Sequence, residues 1–378
     1  MNADDTFDQR RCYDYAGRLL DKFPDLTARL THGIPTPDQV EFHLPPRGRR
    51  LCWLDCPHCF THDGRDRTYR TLPQARLLAL VEEIAQGHPL TRERPEKLIL
   101  GGVHTDPLNS ATAAPLVRLA SERGFAVGVH TKGLRIDPAV SAALVARRSP
   151  GHYIAFSVDA GSDAVFNRAH GVGTAVPLYS RIQANIGNLT QARRGTGAGL
   201  RIVANYLITR HNACAKEIRA FAETMFGLGV DHLRFSLPIV PRMGHEVRGP
   251  FPQAPAPAVQ QAAAAIRALQ RESPAAVHFL HFPETGMRVL PCYARWLTPT
   301  VGHDGFLYPC CLTATEQFAG LRLVDLATSG FWDGYRASVP LDFARARCQC
   351  DRKGAAINAG IAGRLAAESA ADRRAETA

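Results

Sequence analysis

A chain of 378 residues with 45% hydrophobic and 21% charged residues has the usage of an ordinary globular protein, long enough for one large domain with an appendage or for two moderate ones. No apolar run approaches the roughly 20 residues that a membrane-spanning helix needs, so no membrane partner is expected. The formal net charge of +10 would suit a nucleic acid, but only five of the 45 basic residues are Lys and none form a dense block, which argues against a nucleic-acid partner.

The N-terminus, MNADDTFDQRRCYDY, lacks the basic start and apolar stretch of a secretory signal. A cytoplasmic location is therefore expected, and the ten cysteines read first as metal ligands or catalytic thiols rather than disulfides. Residues 1–45 form a lead-in segment, with a helical pattern over about 8–31 and an extended VEFHL at 40–44. The region 46–283 then alternates β-branched runs with amphipathic ones. The strand candidates are 97–102, 126–133, 153–159, 200–208, 231–237 and 277–282. Helical periodicity falls between them at about 73–86, 111–123, 138–147, 177–194, 213–227 and 257–272. Repeated βα units of this kind build either a doubly wound sheet or a barrel, with ligands at the carboxyl ends of the strands. The Pro-rich GPFPQAPAPA at 249–258 reads as an exposed connection.

Beyond residue 283 the alternation stops. Cys, Gly, Pro and aromatic residues dominate a small separate module over 284–351, and the Ala-rich 352–378 reads as a frayed helix or disordered tail.

Cys52, Cys56 and Cys59 stand as C-x3-C-x2-C in LCWLDCPHCF. Three thiolates can ligate three irons of a four-iron cluster and leave the fourth open to a substrate or cofactor, whereas an electron-carrying cluster normally closes all four positions. The alternative is a zinc site completed by His58 or His62.

With an aromatic residue on each side of Cys59, His58 before it and Phe60 after it, the triplet resembles the signature of the radical S-adenosylmethionine superfamily. The resemblance covers roughly residues 40–350. It implies an α/β fold, a partial (β/α)6 TIM-like barrel, and an open iron that chelates S-adenosylmethionine. It also implies reductive cleavage to a 5'-deoxyadenosyl radical, fed by a flavodoxin- or ferredoxin-type reductant. Gly101 and Gly102 match the glycines of the family's GGE motif; Val103 replaces its acidic residue, and Thr105 or Asp106 is the expected substitute. VGVHTKG at 127–133, with Thr131, resembles the family's third strand. SVDAGSDAVFNRAHG at 157–171 resembles its SxDG motif, which implies Ser157 and Asp159 near the ribose or methionine part and Arg168 near the carboxylate. Taken singly, these glycines also read as a turn, and Ser157 and Asp159 as helix caps.

Cys292, then Gly305 and Cys310, then Cys348 and Cys350 can close a second four-iron cluster or a structural zinc site. The C-x12-G-x4-C spacing is similar to the SPASM and twitch auxiliary-cluster modules, the single-cluster twitch form in particular. Cys311 is either a packed thiol or a hydrogen donor to a substrate radical. Cys12 and Cys214 carry no assignment. The short lead-in and the single auxiliary cluster point to a small-molecule substrate: a polar natural-product precursor such as a sugar, aminocyclitol or nucleoside. A maturase acting on a ribosomally made peptide is the alternative, and a zinc-stabilised nucleic-acid-binding protein is the rival from a different class.

Overall fold

The computed structural model describes residues 36–48, 52–54, 56–59, 70–102, 105–146, 151–173, 176–238, 253–280, 293–314, 320–336 and 352–376. The expected helix over 8–31 lies outside them, as do His62, Cys12, Cys292, Cys348 and Cys350. Seven parallel strands follow one another: β1 (Gln39–His43), β2 (Lys97–Gly101), β3 (Ala126–Thr131), β4 (Tyr153–Ser157), β5 (Arg201–Leu207), β6 (His232–Ser236) and β7 (Val277–Leu280). The crossovers are α1 (Gln74–Gln86), α2 (Ala113–Glu122), α3 (Pro138–Val145), α4 (Asp163–Ala169) with α5 (Leu178–Thr196), α6 (Ala215–Gly227) and α7 (Ala256–Glu272). Each strand pairs with its sequence neighbour. A doubly wound sheet must reverse its order at a switch point, so this unbroken order identifies a partial barrel of six βα units closed by β7.

Pairing register sorts the strand residues by face. Phe42, Leu100, Val129, Ile154 and Ile202 lie side by side across β1 to β5. All five are 0% exposed, and they pack in one core with Leu80, Leu116, Leu144 and Ile186 of the helices. The opposite, inner face carries Glu41, His43, His130, Tyr153, Ser157, Asn205 and Arg234. Gly128 keeps this face open beside Tyr153, because a Cβ at 128 would lie 2.5 Å from the tyrosine ring. The wall is thus apolar toward the helices and polar toward the lumen.

Local signals start and stop the helices where periodicity predicts. Asp137 caps α3 by accepting from Ala139 N at 2.9 Å, with Pro138 at the first helical position. Gly197, at φ +62, ends α5 in the left-handed conformation and returns its N–H to the carbonyls of Arg193 and Arg194.

The expected separate module does not stand apart from the barrel. β8 (Thr300–Val301) pairs parallel with β1, and β9 (Phe306–Tyr308) and β10 (Val324–Asp325) continue antiparallel, giving one ten-stranded sheet. The short helices α8 (Ala294–Leu297) and α9 (Phe331–Arg336) seal it. Trp332 Nε1 donates to the Glu83 carbonyl on α1 at 2.9 Å. Arg76 of the same helix donates to the carbonyls of Leu326 and Ser329. The reason is physical: a two-residue β8, a three-residue β9 and a two-residue β10 cannot bury enough surface alone.

Of the frayed helix or disordered tail expected at the C-terminus, the structure has a helix. Residues Arg352–Glu376 form one helix, α10, whose early part is docked: Ile361 is 0% exposed and Asn358 Oδ1 accepts from Tyr293 N at 2.9 Å. Among the described residues, no helix is long and apolar enough to cross a membrane.

Candidate functional site

The carboxyl ends of β1 to β4 gather the sequence-predicted residues on one rim. Cys52, Cys56 and Cys59 lie in the loop after β1, with Cys59 N donating to the Cys56 carbonyl at 2.9 Å in a tight turn. Cys56 is buried and the other two are half-buried. Burial pushes the Cys52 thiol up to about 11, and nearby Asp106 and Cys59 push the same way. Burial raises Cys56 further still, with Cys52 and Cys59 adding to it and Lys132 opposing. Thiols raised in this way at Cys52 and Cys56 become thiolates readily only with a cation beside them.

Two residues the sequence reading did not single out complete this group. Lys132, just after β3, donates from Nζ to Asp159 Oδ2 at 2.8 Å. Burial alone would strip its proton, but Asp159 and then Cys56 outweigh that and hold Lys132 up at about 12. His170, just past α4, is 0% exposed, with Nδ1 3.0 Å from Cys56 Sγ and Nε2 3.4 Å from Asp159 Oδ2. That second approach is within ion-pair range but lacks hydrogen-bond alignment, so Nε2 counts as buried without a hydrogen-bond partner. Burial first, then Lys132 and His58, keep this imidazole neutral. His58 is likewise lowered, to about 4, mainly by burial and then by Lys132. The signals were present in VHTKG at the end of β3 and in RAHG at the end of α4, but a Lys and a His at loop positions are ordinary until the fold brings them to the cysteines.

Asp159 owes its place to its backbone. It sits at φ +59, a conformation Asp tolerates better than most side chains, and its N–H donates to the Asn205 carbonyl at 3.3 Å. Its carboxylate takes Leu207 N at 2.7 Å as well as Lys132, and Asn212 Nδ2 holds its carbonyl at 2.7 Å.

The loop after β2 is differently committed. Asp106 Oδ1 accepts from Thr131 Oγ1 at 2.7 Å and Leu108 N at 3.0 Å, and Oδ2 accepts from Lys132 N at 2.8 Å. Both oxygens are therefore engaged in tying the β2 and β3 loops together. Burial raises its carboxyl, against these three hydrogen bonds. Thr105 Oγ1 is buried without a hydrogen-bond partner. It lies so close to Gly102 that a Cβ there would approach it to 2.2 Å and the Thr105 carbonyl to 2.4 Å, whereas a Cβ on Gly101 would meet the flexible end of Glu41. Thr131 also accepts Gly133 N at 2.9 Å, and Ser157 ends β4 on the inner face, opposite Asn205.

Arg168 is not brought to this group. It is exposed, and the residue of its segment that reaches the cysteines is His170. In the second cysteine group, Cys310 Sγ lies 3.7 Å from Thr313 Oγ1, and Cys310 and Cys311 are both half-buried at a short 3-10 turn, Cys311–Thr313.

No protein-family model matches the chain, and no curated protein matches it closely enough to count as a relative. Solved structures do. SuiB of Streptococcus suis bound to S-adenosylmethionine superposes with a TM-score of 0.61 at 13% identity, covering 87% of this chain and 73% of that one. The same protein bound to its precursor peptide SuiA gives 0.60 at 11% identity, over 85% and 70%. Native anSMEcpe with bound AdoMet and the Cp18Cys peptide gives 0.52 at 14% identity, over 79% and 80%. The chain has the radical S-adenosylmethionine fold.

In this radical S-adenosylmethionine fold the three cysteines fit a metal centre on the donor set itself. They are soft sulfur ligands, one buried and two half-buried, with His58 Nδ1 and Thr105 Oγ1 left unpartnered among the described residues. Donor atoms of Cys56, His58 and His170 also lie within 4.8 Å of one another, a set that zinc accepts. Iron and zinc content therefore distinguish the two readings of the site.

Proposed function

We propose that this chain is a radical S-adenosylmethionine enzyme that modifies a peptide. The observation that carries the first half is the convergence of buried Cys56 and half-buried Cys52 and Cys59 on the rim where the parallel strands end. A four-iron cluster held by these sulfurs supplies the electron that cleaves S-adenosylmethionine to a 5'-deoxyadenosyl radical. The chain's own part is to hold the cofactor and to aim the substrate. Gly102 and the unpartnered Thr105 Oγ1 leave room and a hydrogen-bonding atom on the β2 loop. Ser157 and the Lys132–Asp159 pair offer polar contacts on the next two strand ends. Asp106, bonded on both oxygens, acts as the strut that keeps these loops in place.

The peptide half is favoured over the small polar precursor expected from sequence because SuiB and anSMEcpe, over most of their lengths, are seen with a precursor peptide and the Cp18Cys peptide. The inner wall supports either substrate class in chemistry: His130 and Tyr153, 2.9 Å apart, with Asn205 and Arg234, suit peptide amides as well as hydroxyls.

The test is anaerobic incubation of iron-reconstituted, reduced protein with S-adenosylmethionine, alone and with peptides encoded beside its gene or with candidate sugars and nucleosides. Release of 5'-deoxyadenosine with a mass change in a peptide is expected. A change confined to a sugar or nucleoside replaces the peptide half, and stoichiometric zinc with negligible iron removes the reading entirely. Gly102→Ala, which forces Thr105 away, should weaken S-adenosylmethionine binding about tenfold, or about 1.4 kcal/mol, by calorimetry. Gly101→Ala should have a smaller effect because only the Glu41 side chain must move.

Cys310→Ala tests the second cysteine group: slow 5'-deoxyadenosine release should persist while product is lost. Full product formation would remove the proposed auxiliary cluster on Cys292, Cys310, Cys348 and Cys350 from the reaction. Cys311→Ala, if Cys311 donates hydrogen, should still form 5'-deoxyadenosine from substrate without completing turnover.

A further inference from the structure

His170 is the one buried imidazole whose described hydrogen bond ends on a cysteine sulfur. Its ring is fixed on every side. Its N–H caps α4 by donating to the Phe166 carbonyl at 3.0 Å, and its ring lies on Phe166 at 4.2 Å between centroids. The edge of His58 closes another side at 5.4 Å. Nδ1 is thereby held 3.0 Å from Cys56 Sγ, while Nε2 faces the carboxylate that Lys132 neutralises.

We infer that His170 donates a hydrogen bond from Nδ1 to the Cys56 sulfur and so tunes the reduction potential of the cluster held there, with the Phe166 and His58 rings holding the imidazole in place. This rests on the assignment of the first cysteine group to iron. The chemistry follows from the donor inventory. A sulfur bound to iron is a thiolate with no proton to give, so the shared hydrogen belongs to the nitrogen. A neutral imidazole has one N–H, and placing it on Nδ1 leaves Nε2 without one, in keeping with the lack of hydrogen-bond alignment between Nε2 and the Asp159 carboxylate 3.4 Å away. Hydrogen bonds to ligand sulfur stabilise the extra negative charge of the reduced cluster and are among the levers a protein has on cluster potential. His170 is thus a positioning and tuning residue, not a ligand, and a reductant meets a cluster that is easier to reduce than one without this bond.

The experiment uses the full-length chain after anaerobic reconstitution. Midpoint potentials are read by electron paramagnetic resonance during redox titration, following the reduced-cluster signal that S-adenosylmethionine perturbs. His170→Ala should shift the midpoint to more negative values. At the potential that half-reduces the wild type, its reduced-to-oxidised ratio should fall about tenfold, equivalent to about 59 mV for a one-electron couple. His170→Asn, whose amide can place an N–H near the position of Nδ1, should recover most of the shift. Because a fully buried ring is removed, a second measurement avoids substitution. Wild-type protein labelled with nitrogen-15 in histidine should show a weakly coupled histidine nitrogen in pulsed spectra of the reduced cluster, retained in His58→Phe. Equal midpoints in wild type and His170→Ala with the cluster intact overturn the inference, as does absence of the nitrogen coupling in wild type. A wild type that takes up no iron overturns the assignment beneath it, a result distinguishable by metal analysis before any titration.

Discussion

Under the proposed function, with about eight irons expected in two four-iron clusters, Cys56→Ala is expected to abolish release of 5'-deoxyadenosine and to remove about half of the iron. Of the three sulfurs on the β1 rim, Cys56 is the most deeply buried, and it alone carries the His170 hydrogen bond. Its loss leaves two thiolates and an imidazole at a site built for three sulfurs, and a cluster with two of its four irons unligated does not persist. The measurement is iron content together with product analysis by mass spectrometry, with Cys310→Ala as the paired control. The two variants should come apart, Cys56→Ala losing cleavage and Cys310→Ala keeping it. Retention of cleavage by Cys56→Ala would mean that the open iron is not held by this triplet.

Lys132→Met is expected to destabilise the chain by about 3–5 kcal/mol, the usual consequence of removing one partner of a buried ion pair. Its side chain is 19% exposed and that of Asp159 only 3%, so screening by solvent is small and the carboxylate is left without its cation. Asp159 would still accept from Leu207 N, but one hydrogen bond does not replace an ammonium at 2.8 Å. The double variant Lys132→Met with Asp159→Asn should recover part of the loss, since the uncompensated charge is gone. Chemical denaturation of the metal-free protein is the appropriate measurement, because bound metal would add its own stabilisation to the folded state. If the single and double variants unfold at the same denaturant concentration, the pair contributes nothing beyond packing.

Both variants concern residues that differ in how visible they were. The cysteine triplet could be read directly, because three metal-ligand side chains within eight residues share a point wherever the loop goes. Lys132 could not, because its partners Asp159, Cys56 and Asp106 come from three other loops. Asp106 shows how tertiary contacts add a role that the sequence did not show. Its acidic side chain in a glycine-led loop made it an expected substitute for a cofactor ligand, and parallel pairing of β2 with β3 also sets it against Thr131 Oγ1 and Lys132 N, which bond to its two oxygens. Arg168 and His170 are two residues apart on one segment, and only the direction in which α4 packs decides that the histidine points inward.

The sequence by itself determined the order and kind of the barrel elements and the first cysteine group. Hydrophobic periodicity is local: β-branched runs such as KLILG and repeats every three or four residues such as QARLLALVEEIAQ specify strand and helix before any long-range contact forms. Only the tertiary structure decided that the C-terminal strands extend the barrel sheet through β8 and β1, that the early turns of the Ala-rich helix are docked, and that Lys132, Asp159 and His170 meet at Cys56. Those outcomes depend on which surfaces bury one another and on which buried charges and hydrogen-bonding atoms must be paired when they do. Neither is written in the spacing of residues along one segment.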